Sequence, residues 1–153
     1  MTETQAKRDW VPPLWVERIF WTVHRTVYRL TRGRLGLWRA KPDRWGTLRL
    51  KTVGRRSGKR RIAILGYYED GPNVVTLAMN GWNDGEPGWW LNLQANPDVT
   101  IELVDGPRAV RAYAAQGEER TRLWQLFKDA EKYAPLRSTE TAVVVLAPRP
   151  DAA

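Results

Sequence analysis

The sequence predicts a mainly β fold with flanking helices (α+β), its strands closed into an antiparallel barrel. Three observations carry that prediction. Six short segments have the alternating or continuously apolar pattern of strands. Most are joined by tight-turn chemistry, such as Glu69-Asp70-Gly71-Pro72 and Asp105-Gly106-Pro107. The crossovers of a dozen or more residues that a parallel sheet needs are absent between most of them. With 153 residues and no internal repeat or low-complexity segment, the chain fits one domain with one core.

Each element has a local cause. Residues 1–9 are polar and read as a loose tail. From about Pro13 to Arg32 the period is helical, with prolines near the start, where a missing amide is tolerated. Trp15, Ile19, Val23, Val27 and Leu30 form one stripe, with Val16 and Phe20 beside it. Arg18, Arg25, Arg29 and Arg32 gather on the other side, with Trp21 and Tyr28 at the border. Such a helix ordinarily docks its stripe on its own core, and that is the first reading. Residues 13–32 also suit an anionic membrane surface, with apolar face down and arginines at the headgroups.

A basic connector over 33–43 leads to an alternating strand around Leu48 and Leu50. Residues 54–59 turn, and 61–68 return as the second strand. Residues 73–79 form the third, followed by a polar loop over 80–86. Pro87 opens a short helix to Gln94, stopped by Asn96-Pro97. Residues 99–104 and 108–115 make a hairpin. Residues 118–132 form a helix with Leu123, Trp124, Phe127 and Ala130 on one side, and 142–146 are the last, buried strand. The expected organisation is a tail and basic helix over 1–44, the barrel over 45–148 and a frayed tail over 149–153.

Composition narrows the function. Hydrophobic residues make up 42% of the chain, which is neither a disordered nor a membrane-spanning composition. The absence of cysteine excludes disulfide frameworks and thiolate metal sites, and it fits a reducing compartment. A single histidine, His24, argues against a multi-histidine metal site or a Ser-His-Asp system. No secretory h-region follows the polar start, and no apolar run approaches the roughly 20 residues that span a bilayer. A cytoplasmic protein is expected, soluble or peripheral on the inner face of the cell membrane.

The formal charge of +8 is unevenly spread: residues 1–65 hold 17 Lys and Arg against 4 Asp and Glu, and residues 66–153 hold 8 against 13. The first half therefore expects an anionic partner, whether a phosphorylated cofactor, a lipid surface or nucleic acid. Nucleic acid is the weakest of these, because the cations concentrate in one helix, its connector and one hairpin while the nine tryptophans are dispersed.

The most telling segment is Gly54-Arg55-Arg56-Ser57-Gly58-Lys59, with Arg60 and Arg61 behind it. Two glycines let the backbone turn sharply, and a hydroxyl with several cations can surround phosphate oxygens. It is not a nucleotide P-loop: three residues separate the glycines where four are required, and Arg60 stands where Ser or Thr would bind magnesium. Alone it says that an anion is held between two strands, or that a plain hairpin turn carries solvated cations.

A wider pattern adds to it. Thr52-x-Gly54-Arg55-Arg56-Ser57-Gly58-x-x-Arg61, then Asp70-Gly71, then Pro87-x-Trp89-x-x-Asn92-Leu93-x-x-Asn96-Pro97 resembles the deazaflavin-dependent nitroreductases of actinobacteria. The likeness runs from about Leu48 to Ala147. The resemblance implies a split β-barrel of the FMN-binding type and the 8-hydroxy-5-deazaflavin coenzyme F-420, with FMN as the alternative on the same barrel. It implies hydride transfer to quinones, enones or nitro compounds, and members can associate with membranes through an amino-terminal helix. Carried over by position, Arg55, Arg56, Ser57, Gly58 and Arg61 would meet the coenzyme's phosphate and oligoglutamate tail. Ala78, Met79, Asn80 and Gly81 would lie near its ring, and Trp89 and Asn92 would line the groove. A fork of arginines suits an anionic tail better than a single point charge. Trp89 and Trp90 are adjacent, so one helix face cannot bury both.

The sequence departs from the family where the substrate would sit. Met79 and Asn80 replace a serine and a lysine, Trp82 replaces a glycine, and Trp90 stands at a tyrosine position. The tyrosine-rich covering segment is shortened, leaving mainly Tyr133. A more apolar pocket is implied, suited to a small lipophilic quinone or lipid-like substrate. The proton that follows the hydride would come from Tyr133, another hydroxyl or water. A non-catalytic deazaflavin or lipid carrier is the alternative in a different class. Monomer and dimer stay equally open.

Overall fold

The computed structural model of the protein describes residues 13–30, 36–80 and 83–150. Helix α1 (Leu14–Leu30) comes first. Strands β1 (Gly46–Val53), β2 (Arg60–Asp70) and β3 (Asn73–Leu77) form a meander, followed by α2 (Gly88–Ala95), β4 (Asp98–Leu103) and β5 (Gly106–Ala114). Helices α3 (Gly117–Trp124) and α4 (Ala130–Tyr133) and a 3-10 turn (Ala134–Leu136) precede β6 (Val143–Pro148). Every neighbouring pair is antiparallel, and the order β1-β2-β3-β6-β5-β4 closes on itself through β4 and β1. The antiparallel barrel expected from the strand spacing is the fold.

Period-two alternation decides what fills it. On β1, Leu48 and Leu50 are fully buried while Lys51 and Val53 are exposed. Leu48 stands opposite Leu65 and Leu50 opposite Ala63. These side chains meet Val74, Leu93, Ile101, Val110, Val144 and Leu146 in one core. The run from Val143 to Leu146 is apolar throughout because both faces of β6 are covered. Val144 and Leu146 point into that core, while Val143 and Val145 join Val75, Leu123 and Phe127 in a second cluster outside the barrel.

Several elements differ from expectation. The helix over 118–132 breaks after Trp124, where the amides of Leu126 and Phe127 bond back three residues, to Leu123 and Trp124. That tightening sets the Phe127 ring edge-on to Tyr68, 5.2 Å between centroids. Strand β3 ends two residues early because the Ala78 amide bonds Ala142 O and the Met79 amide turns back to Leu77 O. Residues 36–44 pack on the barrel: Thr47 Oγ1 donates to Gly36 O at 2.6 Å, and Ala40 is buried in the main core. The carboxyl end stays attached past Pro148, since the Arg149 amide donates to Ala109 O at 3.1 Å. The docked reading of the first helix fails: Trp15, Ile19, Phe20, Val23, Val27 and Leu30 are all exposed, Trp15 at 63% and Leu30 at 79%. Arg32 and residues 1–12 lie outside the described residues.

Gly46 marks a close approach of backbone to the barrel. A Cβ there would sit 2.7 Å from Trp38 O and 2.7 Å from the Tyr67 ring, and closer still to the Ala40 amide. Backbone cannot yield as a flexible side chain does. Gly46→Ala is expected to cost about 3 kcal/mol, the upper part of the overpacking range, and to lower Tm by roughly 6–12 °C in a thermal melt.

Carboxylates on the barrel exterior set its acid stability. The Lys51 ammonium, with the Arg49 guanidinium, holds Glu102 below the usual glutamate pKa, and Arg122 does the same for Asp70. Both pKa values are depressed by folding, so their contribution is present above the unfolded values, near pH 4, and lost as pH falls through the folded ones. Melting temperature should therefore drop below about pH 4, and Glu102→Gln should make that decline shallower.

Candidate functional site

The hairpin between β1 and β2 builds one wall of a groove of about 440 Å³, and the start of α2 builds the other. Thr52, Gly54, Arg55, Arg56, Ser57, Arg61, Ile62, Ala63, Gly88, Trp89 and Asn92 line it. The hairpin loop is closed by Gly54 N to Lys59 O and Gly58 N to Gly54 O, both 2.8 Å. Gly58 has φ +67°, the left-handed region that favours glycine. A Cβ on Gly54 would fall 2.6 Å from Ser57 Oγ, so glycine lets the serine fold over the loop.

Asn92 joins the two walls. It is 6% exposed, its Nδ2 donates to Thr52 Oγ1 at 3.2 Å, and its Oδ1 accepts from the Arg55 amide at 3.1 Å and from Arg55 Nη1 at 3.5 Å. Its amide thus anchors the arginine loop to the helix. Trp90 is buried in the main core and Trp89 is half-buried on the groove, which separates the two adjacent indoles as helical geometry requires. Helix α2 begins at Pro87 with no side-chain cap and no acidic residue in its first turn, leaving amides at the groove's edge.

Charge is the groove's main property. Arg39, Arg49, Lys51, Arg111, Arg120, Arg122 and Arg149 are each paired with a carboxylate. Among the described residues, Arg55, Arg56, Lys59, Arg60 and Arg61 have no such partner, and no Asp or Glu lines the groove. Five cations in seven positions repel one another, so an anion there gains both attraction and relief of repulsion. Arg56, Ser57 and Arg61 are exposed on the groove; Ser57 Oγ accepts the Lys59 amide at 3.3 Å, while the two guanidinium groups make no hydrogen bond or ion pair among the described residues.

The structure brings Arg55, Arg56, Ser57, Arg61, Trp89 and Asn92 to one groove, with Gly58 shaping the turn beside it. It does not add the others. Ala78 is buried, Met79 half-buried and Asn80 exposed, all in the segment after β3, and none of them lines the groove. Gly81 and Trp82 lie outside the described residues. Tyr133 is half-buried at the end of α4 and does not line the groove either. Sequence reasoning missed Ile62 and Ala63 as apolar wall, although their place on the returning strand was a usable signal. It also missed the buried Arg137, which no pattern announces. No group of three His, Cys, Asp or Glu that could hold a metal occurs among the described residues.

With this geometry in view, the comparisons are specific. Residues 21–148 match the model of the F420H(2)-dependent quinone reductase family. The chain belongs to that family. Rv3178 of Mycobacterium tuberculosis, provisionally named an F420H(2)-dependent quinone reductase, is 39% identical over 122 residues, 76% of this chain and 99% of that protein. The F420H(2)-dependent quinone reductase Rv1261c of the same organism is 34% identical over 134 residues, 83% of this chain and 89% of its own length. Among solved structures, an F420-H2 dependent reductase (FDR-A) superposes with TM-score 0.59 at 26% identity, covering 65% of this chain and 92% of that one. A chain described as a domain-swapped dimer superposes at 0.61 and 24% identity over 84% of this chain and 98% of its own, and shares the fold. Family and relatives are named for quinone reduction, so the nitro substrates and the FMN alternative of the earlier expectation find no support in them.

Proposed function

We propose that this chain passes a hydride from reduced coenzyme F420 to a small lipophilic quinone. The observation that carries the reading is the cluster of carboxylate-free cations at 55–61, walled by Trp89 and Ile62. An anionic tail bearing a phosphate and carboxylates fits that donor set, with Arg56, Ser57 and Arg61 binding it and Asn92 holding the loop in place. When bound, the reduced coenzyme supplies the hydride. Trp89 offers its half-buried indole face as a wall for planar groups. The backbone from Ala78 to Gly81 is the proposed neighbour of the ring, and the proton taken up by the reduced quinone comes from Tyr133 or from water. The test is to mix purified protein with reduced F420 and menadione and follow coenzyme absorbance. Substrate-dependent oxidation supports the reading; none across a quinone panel, with tight coenzyme binding retained, selects a non-catalytic carrier instead.

The proposed place of action is the cytoplasmic face of the cell membrane. No helix among the described residues is long and apolar enough to cross a membrane, but α1 presents an exposed apolar stripe and the sequence sets arginines opposite it. Substituting Ile19 and Val23 by glutamate removes buried apolar area at two exposed positions, worth about 1.5–3 kcal/mol for each side chain fully inserted. Cosedimentation of the full chain with anionic vesicles should fall by about tenfold or more with Tm unchanged. Unchanged sedimentation would rule out α1 as the contact.

A further inference from the structure

Among the described residues Arg137 is the one buried cation, and its hydrogen bonds go to neutral oxygens. It is 7% exposed, in the segment between the 3-10 turn and β6. Its Nε donates to Asn83 O at 3.0 Å, Nη1 to Ala78 O at 3.3 Å and to Thr141 Oγ1, and Nη2 to Gly85 O at 2.7 Å. A buried charge is costly unless its donors are met, and here a planar fork is met by carbonyls at three points of one loop. Next to it the Ser138 amide donates to Asp84 Oδ1 at 2.7 Å. The residues so gathered, Ala78 and Asn83 to Gly85, precede Pro87, Gly88 and Trp89, the α2 side of the groove.

These bonds fix the approach to α2. Loop carbonyls at 78, 83 and 85 are taken by Arg137, and Asn80 O accepts the Asn83 amide. With these carbonyls held, the chain enters Pro87, Gly88 and Trp89 from a fixed direction.

We propose that Arg137 is a positioning residue for the α2 wall of the groove: by holding the carbonyls of Ala78, Asn83 and Gly85 it fixes the approach to Pro87 and Gly88, so that Trp89 presents its indole to the coenzyme's ring. This rests on the F420 reading above. Arg137 touches neither substrate nor tail, so its loss should affect the ring and spare the tail. A structural defect of the whole barrel would affect both.

The experiment compares wild type, Arg137→Gln, Arg137→Lys and Thr141→Val by tryptophan fluorescence titration with two probes. One is intact F420; the other is its phospholactyl-oligoglutamate tail without the ring. Arg137→Gln should raise the Kd for F420 at least tenfold and leave the tail Kd within twofold. Arg137→Lys keeps the charge but not the fork, and should recover only part of the loss. Thr141→Val removes one of four acceptors isosterically and should move the same way by less, which keeps the test decisive should Arg137→Gln not fold. Unchanged F420 affinity in the folded variants overturns the assignment, as does a parallel loss of tail binding. Wild type that binds neither probe overturns the F420 reading itself, a different result from wild type that binds both and variants that match it.

Discussion

Replacing Arg56 and Arg61 together by alanine should weaken F420 binding by about a hundredfold or more while leaving the melting temperature unchanged. Hydrogen bonds to charged groups contribute about 1.5–3 kcal/mol each, and two of them multiply to roughly 10² to 10⁴ in Kd. Screening at these exposed positions argues for the lower part of that range. Stability should not suffer, because neither guanidinium is hydrogen-bonded or ion-paired within the fold among the described residues, and both belong to a self-repelling cluster. Fluorescence titration at low and moderate salt checks both points. Wild-type affinity should fall with salt, and the double variant should show a flatter dependence because it has lost two of the charges that respond. Equal affinity in the two proteins would remove the groove as the tail site.

Asn92→Ala should act in the opposite proportion, on stability and binding together. Truncation leaves Thr52 Oγ1 without its partner in a buried place and the Arg55 amide without its partner in a part-buried one. Each unsatisfied group costs about 1–3 kcal/mol, so a loss near 3 kcal/mol and a Tm drop of roughly 6–12 °C are expected. With the anchor gone, the arginine loop is no longer held against α2, and the KM for coenzyme should rise more than kcat falls. Asn92→Asp separates the two effects. It keeps an acceptor for the Arg55 amide, but sets a carboxylate beside the Arg55 guanidinium, where it competes with an incoming anion. Coenzyme affinity should fall with a smaller change in Tm. A Tm loss as large as that of alanine would make the packing of Asn92, and not its hydrogen bonds, the main contribution.

Much of the barrel was legible because strand periodicity and turn chemistry are local. Leu48 and Leu50 alternate with polar residues, so one face had to be buried whatever the partner strand. Asp105-Gly106-Pro107 closes a hairpin on its own conformational preferences. The break after Trp124 was not legible, because it depends on Phe127 reaching Tyr68, some 59 positions earlier in the chain. The fate of the α1 stripe was not legible either: amphipathicity states that a face seeks an apolar neighbour, without saying which.

For the groove the division is similar. Arg55, Arg56, Ser57 and Arg61 sit within one hairpin, and their type and order alone call for an anion. Nothing local says that these five cations would be left without carboxylates while seven others are paired, since pairing is a matter of three-dimensional distance. Asn92 was recognisable as part of the site, but its task of tying Thr52 to the Arg55 amide appears only when helix and hairpin are side by side. Arg137 had no signal at all, because a lone arginine in a polar segment is normally solvated. Sequence by itself determined the barrel, the anion-binding hairpin and the kind of ligand it wants, because these follow from residue type and near-neighbour spacing. Only the tertiary structure decided which cations stay free, which asparagine anchors them and which buried arginine shapes the adjoining loop. Those depend on contacts between segments tens of residues apart, and periodicity carries no information about them.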